Sequence, residues 1–177
     1  FLVPAITMKT FADEFQTGTI EILKTRPITN SQIVLGKFFA VLLLIIIAII
    51  PTYIYVYSVS QLGNPIGNID YGSTIGSYVG LLLLASSYAS IGVFTSSTSK
   101  NQIVAFLLAV FIAFFFYYGF DAVSNLFGNY SYTLKLFGMN EHFKSISRGV
   151  LDTRDVFYFL SIIVFFLFIT KQKLTND

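Results

Sequence analysis

Long apolar runs, separated by short polar stretches, fill most of the chain after residue 37. Residues 38–50 contain no polar side chain, and no charged residue lies between Lys37 and Asp70. A helix needs about 20 mostly apolar residues to cross a bilayer. The pattern therefore predicts an all-α, polytopic transmembrane helix bundle with four complete spans. The predicted spans are residues 37–59, 74–95, 102–120 and 156–170.

The segments between these spans are expected on alternate sides of the membrane, within a single transmembrane domain at residues 1–177. Residues 1–7 are apolar and are predicted to be the end of a further span that is truncated at its N-terminal side. Seven of the 11 lysines and arginines lie in or beside the segments assigned to the cytoplasm, as the positive-inside rule expects. The predicted cytoplasmic segments are residues 8–36, 96–101 and 171–177; the external ones are residues 60–73 and a block of re-entrant or interfacial helices at 121–155.

The polar segment at residues 8–36 has an amphipathic pattern. Helical spacing predicts that Met8, Phe11, Phe15 and Ile22 share one face. Gly18 is expected to interrupt this helix, because glycine costs about 1 kcal/mol against alanine inside a helix. The segment is therefore predicted to be a bent, surface-seeking element and not a plain loop.

A second short helix is predicted to begin at Thr19, with Glu21 in its first turn, where the helix dipole favours a negative charge. Pro27 disfavours helix at the residue before it and ends the element. Thr29 and Gln32 then fit a capping box, Thr at the N-cap and Gln at the third helical position. The first long apolar helix is therefore expected to start there.

The second span is rich in small residues at helical spacing. Gly76 and Gly80 are four residues apart, as are Ala85 and Ala89. Small residues let helix backbones approach closely in lipid. We therefore expect this span to lie inside the bundle, with these four residues as packing positions.

Composition excludes several classes of protein. The chain is 55% hydrophobic and 11% charged with a net charge of +2, so nucleic acid is not an expected partner, whereas membrane lipid is. With no cysteine and one histidine, neither a disulfide nor a structural zinc site is expected, and we predict no catalytic, metal or cofactor site. Apart from Lys37 at the edge of the first, the predicted spans contain no charged residue, which argues against a proton or sodium relay.

The sequence also lacks a G-x-x-x-x-G-K-S/T phosphate-binding loop. Its one Gly-Lys pair is Gly36-Lys37, and Ser31 stands where the first glycine would be required. The chain is therefore not expected to be an enzyme that hydrolyses ATP by that device.

A spaced set of residues in the polar segment resembles a known family. An acid is followed by Gly-Thr-x-Glu, then by Pro and Thr, and then by Gly-Lys at the start of an apolar helix. The set is Glu14, Gly18, Thr19, Glu21, Pro27, Thr29, Gly36 and Lys37. The chain resembles ABC exporter permeases of the second type (the ABC-2 family) over nearly its whole length. Within that family it most resembles the gliding-motility permeases, in stretches such as FLVPAITMKTFADE and HFKSISRGVLDTRDVFYFL.

This resemblance implies a multi-pass protein of the inner (cytoplasmic) membrane that couples ATP hydrolysis by a separate ATPase subunit to substrate translocation. It implies six helices in a full subunit, a second permease subunit in a homo- or heterodimer, and two ATPase subunits. The short helix around residues 18–25 would be the coupling helix, seated in a groove on the ATPase. The implied docking residues are Glu14, Gly18, Thr19, Glu21 and Leu23.

Other interpretations remain open at this stage. Residues 8–36 could instead lie on lipid headgroups, although the acids Asp13, Glu14 and Glu21 outnumber the bases before Lys24 and disfavour an anionic surface. The whole chain could be a non-transporting membrane anchor of a motility or secretion complex, or, less favourably, a membrane-embedded enzyme.

Charged and polar residues near the last span are assigned structural roles. His142 is predicted to be a hydrogen-bonding residue at the membrane interface and not a ligand or pH sensor. Arg148, Asp152, Arg154 and Asp155 are predicted to form a solvated start of the last helix and not a substrate gate.

Overall fold

A computed structural model describes residues 1–65, 67–126 and 131–176. All regular secondary structure within these ranges is helical, and the predicted all-α class is confirmed. Residue 66 of the predicted loop at 60–73, residues 127–130 of the predicted block at 121–155, and residue 177 of the predicted tail lie outside the described residues.

The helices vary from one turn to more than seven turns. In chain order they are α1 Leu2–Thr7, α2 Ala12–Thr17, α3 Thr19–Lys24, α4 Asn30–Ile49, α5 Tyr53–Leu62, α6 Tyr71–Thr98, α7 Gln102–Phe114, α8 Phe120–Leu126, α9 Ser131–Lys135, α10 Met139–Ser147 and α11 Thr153–Asn176.

Four helical stretches among the described residues are long and apolar enough to cross a membrane: Asn30–Leu62, Tyr71–Thr98, Gln102–Ser124 and Thr153–Asn176. The first contains α4 and α5, which are joined by a 3-10 turn at Ile50–Thr52. Pro51 lies in this turn. The α-helix is interrupted there because proline lacks the backbone N–H that a continuous α-helix would use. The third contains α7 and a π-helical turn at Phe115–Gly119.

The small-residue helix α6 is the centre of the bundle. It packs against α1, α4, α7, α10 and α11, and it is the most buried of the four long helices. This position confirms the prediction that the second span lies inside the bundle, since its small side chains leave room for close neighbours.

The four small residues singled out from the sequence face two different neighbours. A Cβ added at Gly76 would lie 2.5 Å from the carbonyl oxygen of Ile146, and one at Gly80 would lie 3.2 Å from the Ile146 side chain, both in α10. Ala85 and Ala89 are buried in an apolar cluster that includes side chains of α4 and α11. The first half of α6 therefore contacts α10, and its middle contacts the other long helices.

His142 and Asp155 join α10 to the start of α11. His142 Nδ1 lies 2.6 Å from Asp155 Oδ1, and His142 Nε2 lies 2.9 Å from the carbonyl oxygen of Leu136. The imidazole stacks on Tyr158 with 3.9 Å between ring centroids. His142 is thus a hydrogen-bonding residue, as predicted.

Asp155 corrects the prediction for the start of the last helix. Its side chain is buried, because α10 folds back over the first turn of α11 and brings His142 onto the carboxylate. The expectation that Asp155 belongs to a solvated helix start is therefore wrong. Asp152 does cap this helix, since its Oδ1 accepts the Arg154 N–H at 2.9 Å.

Candidate functional site

The polar segment that precedes α4, at residues 8–29 and here called the elbow segment, contains two short helices that meet at Gly18. Gly18 has φ +73°, and it ends α2 and begins α3. Glycine adopts this left-handed conformation without the steric cost that other residues bear. The predicted interruption at Gly18 is confirmed, and the chain changes direction there.

The change of direction alters which side chains are buried. Phe11 is fully buried and Ile20 is 8% exposed, whereas Ile22 is 62% exposed. The prediction that Ile22 shares a face with Phe11 is wrong, because the helical phase does not continue through a left-handed residue. Ile22 is instead an apolar side chain that faces outward.

The capping box at the start of α4 is confirmed. Thr29 Oγ1 accepts the Gln32 N–H at 3.4 Å, and Gln32 Oε1 accepts the Thr29 N–H at 2.9 Å. This start places Lys37 two turns into α4 and not at its first residue.

Lys37 ties α4 to α2. Its Nζ lies 2.5 Å from Glu14 Oε1 and also donates to the carbonyl oxygen of Thr10. The same ammonium lies 4.6 Å from the centroid of the Phe11 ring, a distance at which a cation is attracted to an aromatic face. The elbow segment is therefore bonded to the first turns of the long apolar helix.

The end of α6 and the start of α7 also bind α2. Ser96 Oγ accepts the N–H groups of Phe11 and Ala12 at 2.9 and 3.0 Å and donates to the Met8 carbonyl oxygen at 2.9 Å. Gln102 Nε2 donates to Asp13 Oδ1 at 2.8 Å. Three long helical stretches thus hold one side of the elbow segment.

An apolar cluster lies beneath this segment and completes its anchoring. It joins side chains of the elbow segment to those of α4, α6 and α11. The buried members are Phe11, Ile20, Ile33, Val34, Val93 and Leu174.

The five residues expected at a docking surface differ in exposure. Gly18, Thr19 and Glu21 are exposed, whereas Leu23 is half-buried and packs against the apolar cluster. The Glu14 side chain is 29% exposed and has one carboxylate oxygen on Lys37. The same surface carries two further apolar side chains that sequence reasoning did not place there.

These two are Ile22 and Ile28, of which Ile28 is 40% exposed. The outward position of Ile22 could be inferred from the break at Gly18. A helix that restarts after Gly18 has its own buried face, which need not continue the buried face of α2. Ile22 and Ile28 are therefore the candidate apolar contacts of the elbow segment.

A groove of about 490 Å³ separates α3 from the end of α6. It contains charges of both signs, since Glu21 lines one side and Lys100 and Lys173 line the other. A second groove, lined by Gln16, continues from it past Lys100 to the start of α7. The elbow segment therefore presents a charged concavity beside an apolar edge.

Comparison with known proteins identifies the family. The model of the ABC-2 family transporter protein matches residues 2–169. No curated protein and no solved structure matches the chain. ABC-2 permeases are the transmembrane components of ABC transporters and work with a separate ABC ATPase. Because the match covers most of the chain, this multi-pass membrane protein belongs to the ABC-2 family of transporter permeases.

Proposed function

We propose that this permease couples ATP hydrolysis by its separate ATPase subunit to substrate translocation, and that α3 is its coupling helix. The observation that carries the proposal is the outward position of Ile22, which is 62% exposed and directly follows the exposed acid Glu21 in α3. A helix of six residues with such a surface has little stability of its own. It is suited to insertion into a groove that covers its apolar edge.

The charge of the exposed surface favours a protein over lipid as the occupant. Helices that lie on membranes carry lysine and arginine on their polar face, because anionic headgroups attract these residues. Asp13 and Glu21 are exposed in the two short helices. An anionic leaflet would repel both carboxylates and attract the exposed bases Lys9 and Arg26, so this surface of mixed charge suits a partner protein with charges of both signs.

The anchoring of α2 suits the transfer of force. The Lys37–Glu14 ion pair bonds α2 to α4, and Ser96 bonds it to α6. A displacement of α3 by an ATPase would therefore reach two long helices directly and would not dissipate in a loose loop.

The docking residues then take different roles. Thr19 and Glu21 would contact the ATPase directly, together with Ile22, because they are exposed. Gly18 permits the turn that presents them, and Leu23 supports α3 from beneath. Glu14 contributes mainly by fixing α2 through Lys37.

We further propose the assembly and location that the family resemblance implies. Two permease subunits, identical or different, would pair with two ATPase subunits in the inner (cytoplasmic) membrane. The elbow segment would face the cytoplasm, which agrees with the bases Lys9, Lys24 and Arg26 in this segment and Lys37 in the first turns of α4. We also propose that the transporter belongs to the gliding-motility branch and that the chain corresponds to GldF of Bacteroidetes.

Charge reversal at the docking surface tests the coupling role. The full-length permease is co-purified with its ATPase as wild type, Glu21→Lys and Ile22→Asp, and ATP turnover is measured in lipid nanodiscs. Both variants are expected to lose at least half of the bound ATPase. Glu141→Lys, which reverses a partly exposed acid that pairs with Lys144 on α10, is the control and is expected to bind normally. Normal binding and turnover in both elbow variants would overturn the proposal.

The gliding-motility assignment needs a separate test. Deletion of the gene in the source organism is expected to abolish spreading on agar, and the wild-type gene, but not the Glu21→Lys gene, is expected to restore it. A deletion strain that glides normally contradicts this assignment. It does not affect the proposed coupling role, which the co-purification experiment tests separately.

A further inference from the structure

Ser96 supplies a helix cap that α2 lacks within its own sequence. The first N–H groups of a helix have no partner inside the helix and are usually capped by the preceding side chain. The N-cap residue of α2 is Phe11, which has no side-chain acceptor. Ser96 Oγ instead accepts the Phe11 and Ala12 N–H groups from α6, 84 or 85 residues away in sequence. The cap of α2 therefore belongs to another helix.

The Ser96 hydroxyl group is used completely in this contact. It accepts two hydrogen bonds and donates one, to the Met8 carbonyl oxygen at 2.9 Å, and its side chain is fully buried. A hydroxyl has one donor and two acceptor sites. Ser96 thus fixes both the end of the preceding turn and the start of α2.

Three other buried hydroxyls near the same end of α6 have a different use, although Ser87 donates to the Phe159 carbonyl oxygen of α11 at 3.5 Å. Those of Ser90, Thr95 and Ser97 donate to carbonyl oxygens three residues back in the same helix. Such bonds are the common arrangement for serine and threonine inside helices. The contact of Ser96 with α2 is therefore not a general property of the polar residues in α6.

The opposite end of α6 is attached to α10. The hydroxyls of Ser73 and Ser77 donate to the Ser147 carbonyl oxygen at 2.9 and 3.3 Å, and Gly76 lies directly against Ile146. Ser73 and Ser96 are 23 residues apart in one helix, which corresponds to about 35 Å at 1.5 Å per residue. One rigid helix therefore holds the elbow segment at one end and α10 at the other.

We propose that Ser96 is a positioning residue through which movement of the elbow segment enters α6, and that α6 delivers this movement to α10. The proposal rests on the function proposed above, in which an ATPase displaces α3. Lys37 carries a parallel connection into α4. Loss of the Ser96 hydroxyl therefore removes these hydrogen bonds to α6, while α2 stays bonded to α4 and Phe11 stays packed against Val93.

Amide hydrogen exchange tests both parts of the proposal. The full-length permease in nanodiscs is compared as wild type, Ser96→Ala and Ser90→Ala. Ser90 is a matched control because it is equally buried in α6 and bonds only within that helix. Without the ATPase, Ser96→Ala is expected to speed exchange of the Phe11 and Ala12 amides about tenfold, since each loses a buried partner, whereas Ser90→Ala leaves their exchange unchanged.

The second arm uses the complex with the ATPase, with and without a non-hydrolysable ATP analogue. The analogue is expected to change deuterium uptake in the α10 peptide of wild type and Ser90→Ala, and to change it less in Ser96→Ala, with equal amounts of bound ATPase in all three. An α10 response in Ser96→Ala equal to that of wild type overturns the proposal. So does a wild-type α10 segment that does not respond, or a Ser96→Ala protein that no longer binds the ATPase.

The two arms separate this proposal from the proposed function. If the Glu21→Lys protein binds the ATPase normally, then α3 is not the coupling helix. The effect of Ser96→Ala on the Phe11 and Ala12 amides would still be observed in the permease alone, so the cap itself would stand.

Discussion

Lys37 and Glu14 form an ion pair with 2.5 Å between Nζ and Oε1, across 23 residues of chain. Lys37 lies in a helix long enough to cross a membrane, and Glu14 lies in a short helix of the elbow segment. Both side chains are largely shielded, with 19% and 29% of their surface exposed. The pair therefore bonds the proposed docking segment to the helix that it would move.

Reversing one charge of this pair is expected to destabilise the permease. Lys37→Glu would place two carboxylates together beneath Phe11, and Glu14→Lys would place two ammonium groups there. Each single variant should cost about 2 kcal/mol, the range for hydrogen bonds to charged groups. The measurement is the thermal unfolding midpoint of the full-length protein in nanodiscs.

The double variant Lys37→Glu with Glu14→Lys is the internal control. It restores opposite charges and is expected to recover about 0.5–3 kcal/mol relative to the sum of the single variants. If the two single effects simply add, the ion pair does not stabilise this junction.

Gly92 is predicted to be essential for the packing of α1 on α6. A Cβ at Gly92 would overlap the Thr7 hydroxyl and lie 2.6 Å from the Thr7 Cβ, and Thr7 is fully buried. Gly92→Ala should therefore destabilise the protein by about 1–3 kcal/mol, as overpacking does. Thermal unfolding measures the difference.

Gly36→Ala is the matched control for this substitution. Gly36 also lies inside a long helix, but apart from its chain neighbours and the backbone of its own helix no atom lies within 4 Å of the position of its added Cβ. Alanine is expected to raise stability there by about 0.5–1 kcal/mol, because glycine is the poorer helix former. Equal effects of the two substitutions would show that the Thr7 contact is not tight.

Two neutral substitutions in the pair of His142 and Asp155 are expected to differ in their effect on stability. Asp155→Asn should be tolerated, whereas His142→Leu should destabilise the protein. Both ring nitrogens of His142 lie against oxygens, one of Asp155 and one of Leu136. In Asp155→Asn, an amide N–H can donate to Nδ1 while Nε2 donates to Leu136, so every contact is kept. In His142→Leu, a buried carboxylate and a carbonyl oxygen lose their partner.

Thermal unfolding of these two variants should show the difference. His142→Leu is predicted to be less stable than Asp155→Asn by about 1–3 kcal/mol, the cost of leaving buried polar groups unsatisfied. The opposite order would mean that the charge of Asp155, and not its hydrogen bonding, holds α10 on α11.

Much of the helical architecture could be predicted from local patterns. The break at Gly18 and the capping box of Thr29 and Gln32 are confirmed, because each depends on residues within one helical turn. The interior position of α6 is confirmed as well, because small side chains act on packing irrespective of the partner helix. Local chemistry determines these features.

The tertiary contacts of the elbow segment could not be predicted in this way. Ser96 lies in a run of serine and threonine residues, and nothing in that run shows which hydroxyl caps α2. Helical periodicity puts Ile22 on the wrong face because a single left-handed residue resets the helical phase. The charged residues around Asp155 indicate a solvated position, but α10 packs back over α11 and buries this carboxylate. Ser96 and Asp155 contact residues of other helices, and Ile22 follows a change of chain direction. Local sequence patterns therefore do not reveal the surroundings of these residues.

Photo-crosslinking from position 22 tests the central claim most directly. A benzophenone amino acid replaces Ile22 in the full-length permease, and Tyr55 in α5, which is 72% exposed, serves as the control position. The account predicts a permease–ATPase adduct from position 22, with a yield that changes when ATP is added, and none from position 55. No adduct from position 22, or equal yields from both positions, would contradict the assignment of α3 as the coupling helix.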